Sequence, residues 1–207
     1  MQNKGFLVGL LAIAGYIAAQ MLADISAIKV AMFAGLALTG GTFVYPITFT
    51  LRDLIHKSFG KKIARAIVIS AGVINILMVL YLQFIVNLQP SASWPFQEQF
   101  ATTFSFVWRI VLASISAEVV SELVDTEAYS FYYNKITKKH QWGRVLFSNF
   151  FSVPLDSLVF VTIAFVGILP TPVLLSMILG QVIVKGVIAI ASIPAIYLSK
   201  EREDVEM

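Results

Sequence analysis

Asp156 places a carboxylate near the middle of an apolar run that extends from about Val145 to Leu169. Such a run is long enough to cross a bilayer, since roughly 20 helical residues at about 1.5 Å each span a ~30 Å hydrocarbon core. A charge at that depth costs at least ~2.5 kcal/mol on insertion scales, so acids of this kind face a protein interior and mark a pathway or a site. At helical spacing Ser148, Ser152 and Asp156 form one polar stripe, with Pro154 kinking the helix inside it. A second stretch holds Ser114, Glu118, Glu122 and Asp125 at spacings of four, four and three, hence on one helix face. Two acids one turn apart repel, so a proton or a cation must separate Glu118 from Glu122. Arg109 lies nine residues before Glu118 and points elsewhere on the same helix. Lys185, one turn after Gln181, lies at about the depth of Asp156 on the next apolar run. Opposite charges at one depth on consecutive antiparallel helices are natural partners, either as a structural pair that fixes register or as part of a site.

The chemistry open to these residues is recognition rather than covalent catalysis. The chain has no cysteine, which excludes disulfides, thiolate catalysis and cysteine-ligated metals. Its two histidines, His56 and His140, fall in loops, and no HExxH metal motif is present. A membrane-embedded enzyme is therefore disfavoured, and neither a metal nor a cofactor is expected. Without a GxxxxGK[ST] phosphate loop, any ATP hydrolysis would belong to another chain.

The elements that must position these groups are membrane helices. Of 207 residues 58% are hydrophobic and only 13% charged, against about 25% charged in soluble domains. The reading is an all-α polytopic membrane protein, a single domain over 1–207 with six transmembrane helices and short loops. The expected spans are about Gly5–Ala23, Ile28–Leu51, Ala66–Leu88, Thr103–Val124, Val145–Leu169 and Val173–Leu198. The first reads as a retained helix rather than a signal peptide, because further spans follow at once. Its Ala14/Ala18 and Gly15/Ala19 pairs suit close helix approach. Asp24 and Lys29 bracket a short connection. The second span carries Thr39-Gly40-Gly41-Thr42 and Pro46, which interrupt its helical hydrogen bonding or merely kink it. In the third, Asn75 is the main buried polar residue. A tight uncharged turn, Gly167–Pro172, precedes the sixth span, Pro194 lies near its end, and the tail KEREDVEM reads as solvated.

Lys4, the basic loops Arg52–Arg65 and Lys135–Arg144, and the tail hold 12 of the 15 lysines and arginines. Six spans put all of these on one side, cytoplasmic by the positive-inside rule, with both termini inside. That distribution accounts for the net charge of +3 without nucleic acid as a partner. His140, beside lysines, reads as solvated.

At these residues the chain resembles the queuosine precursor transporter family, also called the vitamin uptake transporter family. The matching stretches are Tyr45–Arg65 (YPITFTLRDLIHKSFGKKIAR), Arg109–Ser114 (RIVLAS), Ser121–Tyr129 (SELVDTEAY), Arg144–Phe160 (RVLFSNFFSVPLDSLVF) and Val184–Tyr197 (VKGVIAIASIPAIY). The resemblance implies a six-span inner-membrane importer of 7-deazaguanines such as preQ0, preQ1 or queuine. It carries over Asp53, Arg109, Ser114, Glu122, Asp125, Arg144, Ser148, Asp156 and Lys185 as the family's polar residues. A deazaguanine has a guanidine-like donor edge that a carboxylate can bind, with Glu122 and Asp156 as the expected readers and Glu118 on the same stripe. Its carbonyl could be met by lysine, arginine or Asn149. The alternative is a substrate-binding subunit of an energy-coupling-factor importer. Beyond the small-molecule substrate and the bilayer, a homodimer stays open as a further association.

Overall fold

The computed structural model describes residues 2–137 and 141–191. Lys138, Lys139 and His140 of the second basic loop, Pro194 and the tail lie outside them. The side chains of Asp53 and Arg144 are likewise outside the description, although their backbones are helical.

Helix α1 runs over Gln2–Ser26. The chain then makes a small antiparallel hairpin, β1 (Val30–Phe33) and β2 (Leu36–Thr39), in register Val30↔Thr39 to Phe33↔Leu36. Ala34 and Gly35, both at positive φ, form its two-residue turn, the backbone that matches the right-handed twist of paired strands. A 3-10 turn over Gly40–Phe43 leads into α2 (Tyr45–Phe59), whose first turn contains Pro46, where a missing N–H costs nothing. Gly60, at φ 86°, separates α2 from α3 (Lys61–Val86). The remaining helices are α4 (Gln97–Phe104), α5 (Val107–Lys135), α6 (Gln141–Phe165) and α7 (Thr171–Ala191).

Among the described residues five helical segments are long and apolar enough to cross a membrane: Phe6–Ser26, Lys62–Val86, Gln97–Asp125, Val145–Phe165 and Thr171–Ala191. The all-α reading holds apart from the hairpin, whereas the expected second helix over Ile28–Leu51 does not form. Its first half is the hairpin, and helix resumes only at Tyr45. The physical reason lies in the close approaches that its small residues permit. A Cβ on Gly41 would stand 2.5 Å from the carbonyl oxygen of Ala23. One on Gly180 of α7 would stand 2.5 Å from Leu38. The 3-10 turn can therefore press against α1 while the hairpin presses against α7. Strand edges are tolerated at membrane depth only where protein covers them, and here the Ala37 N–H donates to Ser176 Oγ of α7 at 3.0 Å.

Neighbouring helices run antiparallel. Gly9 and Gly15 of α1 lie beside Phe59 and Leu51 of α2, and Val79 of α3 packs with Val107 and Val111 of α5. Along α5 and α6, Arg109 meets the end of α6, Ser121 meets Asp156, and Asp125 meets Ser152. An apolar cluster including Ala27, Ala37, Ile110, Val161, Phe165 and Met177 holds the hairpin against α1, α5, α6 and α7. Large apolar side chains such as Leu11, Leu80, Leu123, Phe150 and Leu175 stay exposed on the outside, as lipid-facing positions require.

Candidate functional site

Beneath the hairpin is a cavity with about 330 Å³ of empty space, its open mouth included. Its walls come from α1 (Ala23, Asp24, Ala27), from the hairpin's end and the 3-10 turn (Thr39, Gly41, Thr42), and from Tyr45 of α2. Ser114 and Ala117 of α5, Asp156 and Phe160 of α6, and Gln181 and Lys185 of α7 complete it. Pockets that bind small molecules combine apolar walls with a few convergent polar groups in this way.

Lys185 donates to Asp156 Oδ2 in an ion pair whose side chains are each 4% exposed. Ser121 Oγ donates to the other carboxylate oxygen at 3.3 Å. The Lys185 ammonium also stands 5.1 Å from the centre of the Tyr45 ring, within cation–π range. Across the cavity Asp24, 2% exposed, accepts a hydrogen bond from Asn75 Nδ2 of α3 at 2.7 Å. The Thr39 and Thr42 hydroxyls bond each other at 3.0 Å. Gln181 is 1% exposed, and its side-chain nitrogen has no hydrogen-bond partner.

Of the residues singled out in the sequence, Ser114, Asp156 and Lys185 line the cavity together. Glu118 lies just outside it, accepting from Tyr16 Oη at 3.1 Å, while Gln20 Nε2 donates to that tyrosine oxygen at 3.1 Å. Asp125 is bonded by Ser152 of α6 at 3.3 Å, below the cavity. Asn149 is half-buried on α6, and Ser148 is buried with its hydroxyl turned to the Val145 carbonyl of its own helix. Neither joins the cavity wall.

Two expectations change. Glu122 is exposed and takes no part in the cavity. Steps of four residues advance ~40° around a helix, so Glu122 has rotated ~80° from Ser114, while Asp125 returns to within ~20° of it. Arg109 is committed to the backbone at the end of α6, donating from Nε to the Ile163 carbonyl at 2.7 Å and from Nη2 to that of Val166 at 2.5 Å. It satisfies carbonyls that a helix end leaves without intrahelical partners. Asp53 lies on α2 and Arg144 on the first turn of α6.

Asp24, Thr39, Thr42 and Tyr45 are cavity residues that the sequence reading left out of the site. In the sequence Asp24 borders a connection, and it is Asn75 of α3, Ser114 of α5 and the 3-10 turn packed on α1 that enclose it. The signal available was an acid within one turn of a span's end, facing Asn75, the polar residue of another span.

Similarity to known proteins shows the family. The family model described as "Putative vitamin uptake transporter" matches residues 39–199. The chain belongs to this vitamin uptake transporter family. It is also similar to a Bacillus subtilis (strain 168) protein named "Probable queuosine precursor transporter", with 26% identity over 188 residues. That match covers 88% of this chain and 80% of the relative. No solved structure matches the chain. The vitamin uptake transporter family accounts for the apolar helices: this is a multi-pass membrane protein of a transporter family. Tyr45, Ser114, Asp156, Gln181 and Lys185 fall inside the matched stretch, and Asp24 precedes it.

Proposed function

We propose that the chain is a carrier that imports 7-deazaguanine precursors of queuosine across the inner membrane, with the cavity as its substrate site. The observation that carries this reading is a buried Asp156–Lys185 pair opening onto a cavity that also holds Asp24 and Gln181. Its polar groups suit a flat ring bearing both donors and acceptors, and the name of the similar Bacillus protein points to the same substrates. In this account the 3-10 turn and α2, returning antiparallel to α1, supply the sixth crossing beneath the hairpin. Both termini are then cytoplasmic, in keeping with the basic loops. Membership of a transporter family also argues for transport rather than catalysis.

One observation favours the second reading, a binding subunit of a larger importer. Ala14 and Ala18 are exposed one turn apart on α1, a small-residue face that another helix can approach closely. Gly15 and Ala19, by contrast, are used inside the protein, with Gly15 against Leu51. Reconstitution of the purified chain in liposomes separates the two. The carrier reading expects uptake of labelled preQ1 with no other protein present. Binding without uptake would favour the subunit, and neither binding nor uptake of any 7-deazaguanine would reject both.

A further inference from the structure

We infer that Asp24 and Gln181 are the groups that read the substrate's edges, Asp24 accepting from its donor edge and the Gln181 amide donating to its carbonyl. This rests on the cavity being the substrate site, as proposed above, and deepens it by assigning specificity to two residues.

Several polar groups of the cavity are already engaged within the protein. Asp156 is already engaged at both oxygens, by Lys185 and by Ser121. The Thr39 and Thr42 hydroxyls are engaged with each other, one donating and the other accepting. Gln181 instead presents a side-chain nitrogen with no partner although the residue is 1% exposed. Buried polar atoms are nearly always hydrogen-bonded, so an orphan donor in a cavity wall asks for an acceptor that the protein itself does not provide. Asp24 is the second acid of the wall, and among the described residues it has no ion-pair partner. Asn75 donates to Asp24 Oδ2 from α3, and the other atom of that amide, Oδ1, is unpartnered. Asn75 is thus a positioning residue, holding the carboxylate by one N–H, with the Ser114 hydroxyl as a second neighbour in the cavity wall. A carboxylate is a pure acceptor and an amide nitrogen a pure donor. The ligand that satisfies both is a neutral planar ring with adjacent N–H donors on one edge and a carbonyl on another. Tyr45 and Phe160 supply aromatic surface in the same wall.

The test uses the purified full chain in lipid nanodiscs and three rings: 7-deazaguanine, 7-deazahypoxanthine, which lacks the exocyclic amine, and 7-deaza-6-thioguanine, which keeps N1–H but exchanges the carbonyl for a weakly accepting thiocarbonyl. A site built to pair buried polar groups rejects ligands that leave them unpaired. For wild type, calorimetry is expected to give at least ~10-fold weaker binding for each deficient ring. Asp24→Asn should collapse the penalty for losing the amine and keep that for losing the carbonyl. Gln181→Leu should do the reverse. Ratios of affinities on folded, monodisperse protein cancel differences in yield. Should Asp24→Asn fail to fold, Asn75→Ala, which removes the amide holding Asp24, is expected to reduce the amine penalty. An amine penalty unchanged in the acid's variant overturns the role of Asp24. A carbonyl penalty unchanged in Gln181→Leu overturns that of Gln181 and leaves a water as its partner. Wild type binding all three rings equally overturns the inference alone, whereas wild type binding none of them overturns the functional reading beneath it.

Discussion

Lys185 and Asp156 stand in for water to one another. Each side chain is 4% exposed, and a lone charge at that burial would keep the desolvation cost without the compensating attraction. Removing one partner of a buried pair typically costs ~3–5 kcal/mol, whereas removing both can be nearly neutral. Asp156→Asn and Lys185→Met are therefore each expected to lower thermal stability more than the double variant does. Strictly additive losses would show that the two do not interact. This pair was legible in the sequence, because two opposite charges at equal depth on consecutive spans have few other partners. Asp24 was not, since nothing in a linear reading says that the chain after Ser26 doubles back over it. Glu122 misled for a geometric reason: spacing by fours drifts around the helix, and it is Ser121, one residue earlier, that faces Asp156.

At the scale of elements, the hairpin and the 3-10 turn decide where the cavity is. They hid within an apolar stretch because hydrophobic residues on both strand faces erase the alternation that marks a strand. The interruption itself was readable in Gly40, Gly41 and Pro46, but the hairpin was not. Its visible residue was Gly35, while the other turn position, Ala34, carries no turn signal and adopts φ 48° all the same. Close approach to α1 depends on Gly41, since an added Cβ would meet the Ala23 carbonyl, which is backbone and cannot swing aside. Gly41→Ala is expected to destabilise the protein by ~1–3 kcal/mol, the usual cost of overpacking. Gly72→Ala is the control, because nothing lies within 4 Å of a Cβ there. Equal melting temperatures for the two variants would show that the packing of the turn on α1 is not tight.

At the scale of the whole molecule, α1, α2 and α3 pack as one antiparallel group and α5, α6 and α7 as another, with the hairpin and the cavity between them. The absence of cysteine makes this arrangement easy to probe, because any introduced thiol is unique. For the proposed topology, Ser91→Cys in the loop after α3 and Thr137→Cys after α5 are expected to label from opposite sides of the membrane. Labelling of both from one side would mean that α5 does not cross, and would contradict this topology. The most direct test of the central claim, that the carried ring lies in this cavity, is ligand protection of a thiol in its wall. Thr42→Cys places a thiol at a cavity residue that is 2% exposed, and Ser91→Cys serves as the exposed reference. Saturating preQ1 is expected to slow alkylation of the Thr42→Cys variant severalfold and to leave Ser91→Cys unchanged. Bound preQ1 with an unaltered rate at position 42 would put the substrate elsewhere and contradict the account.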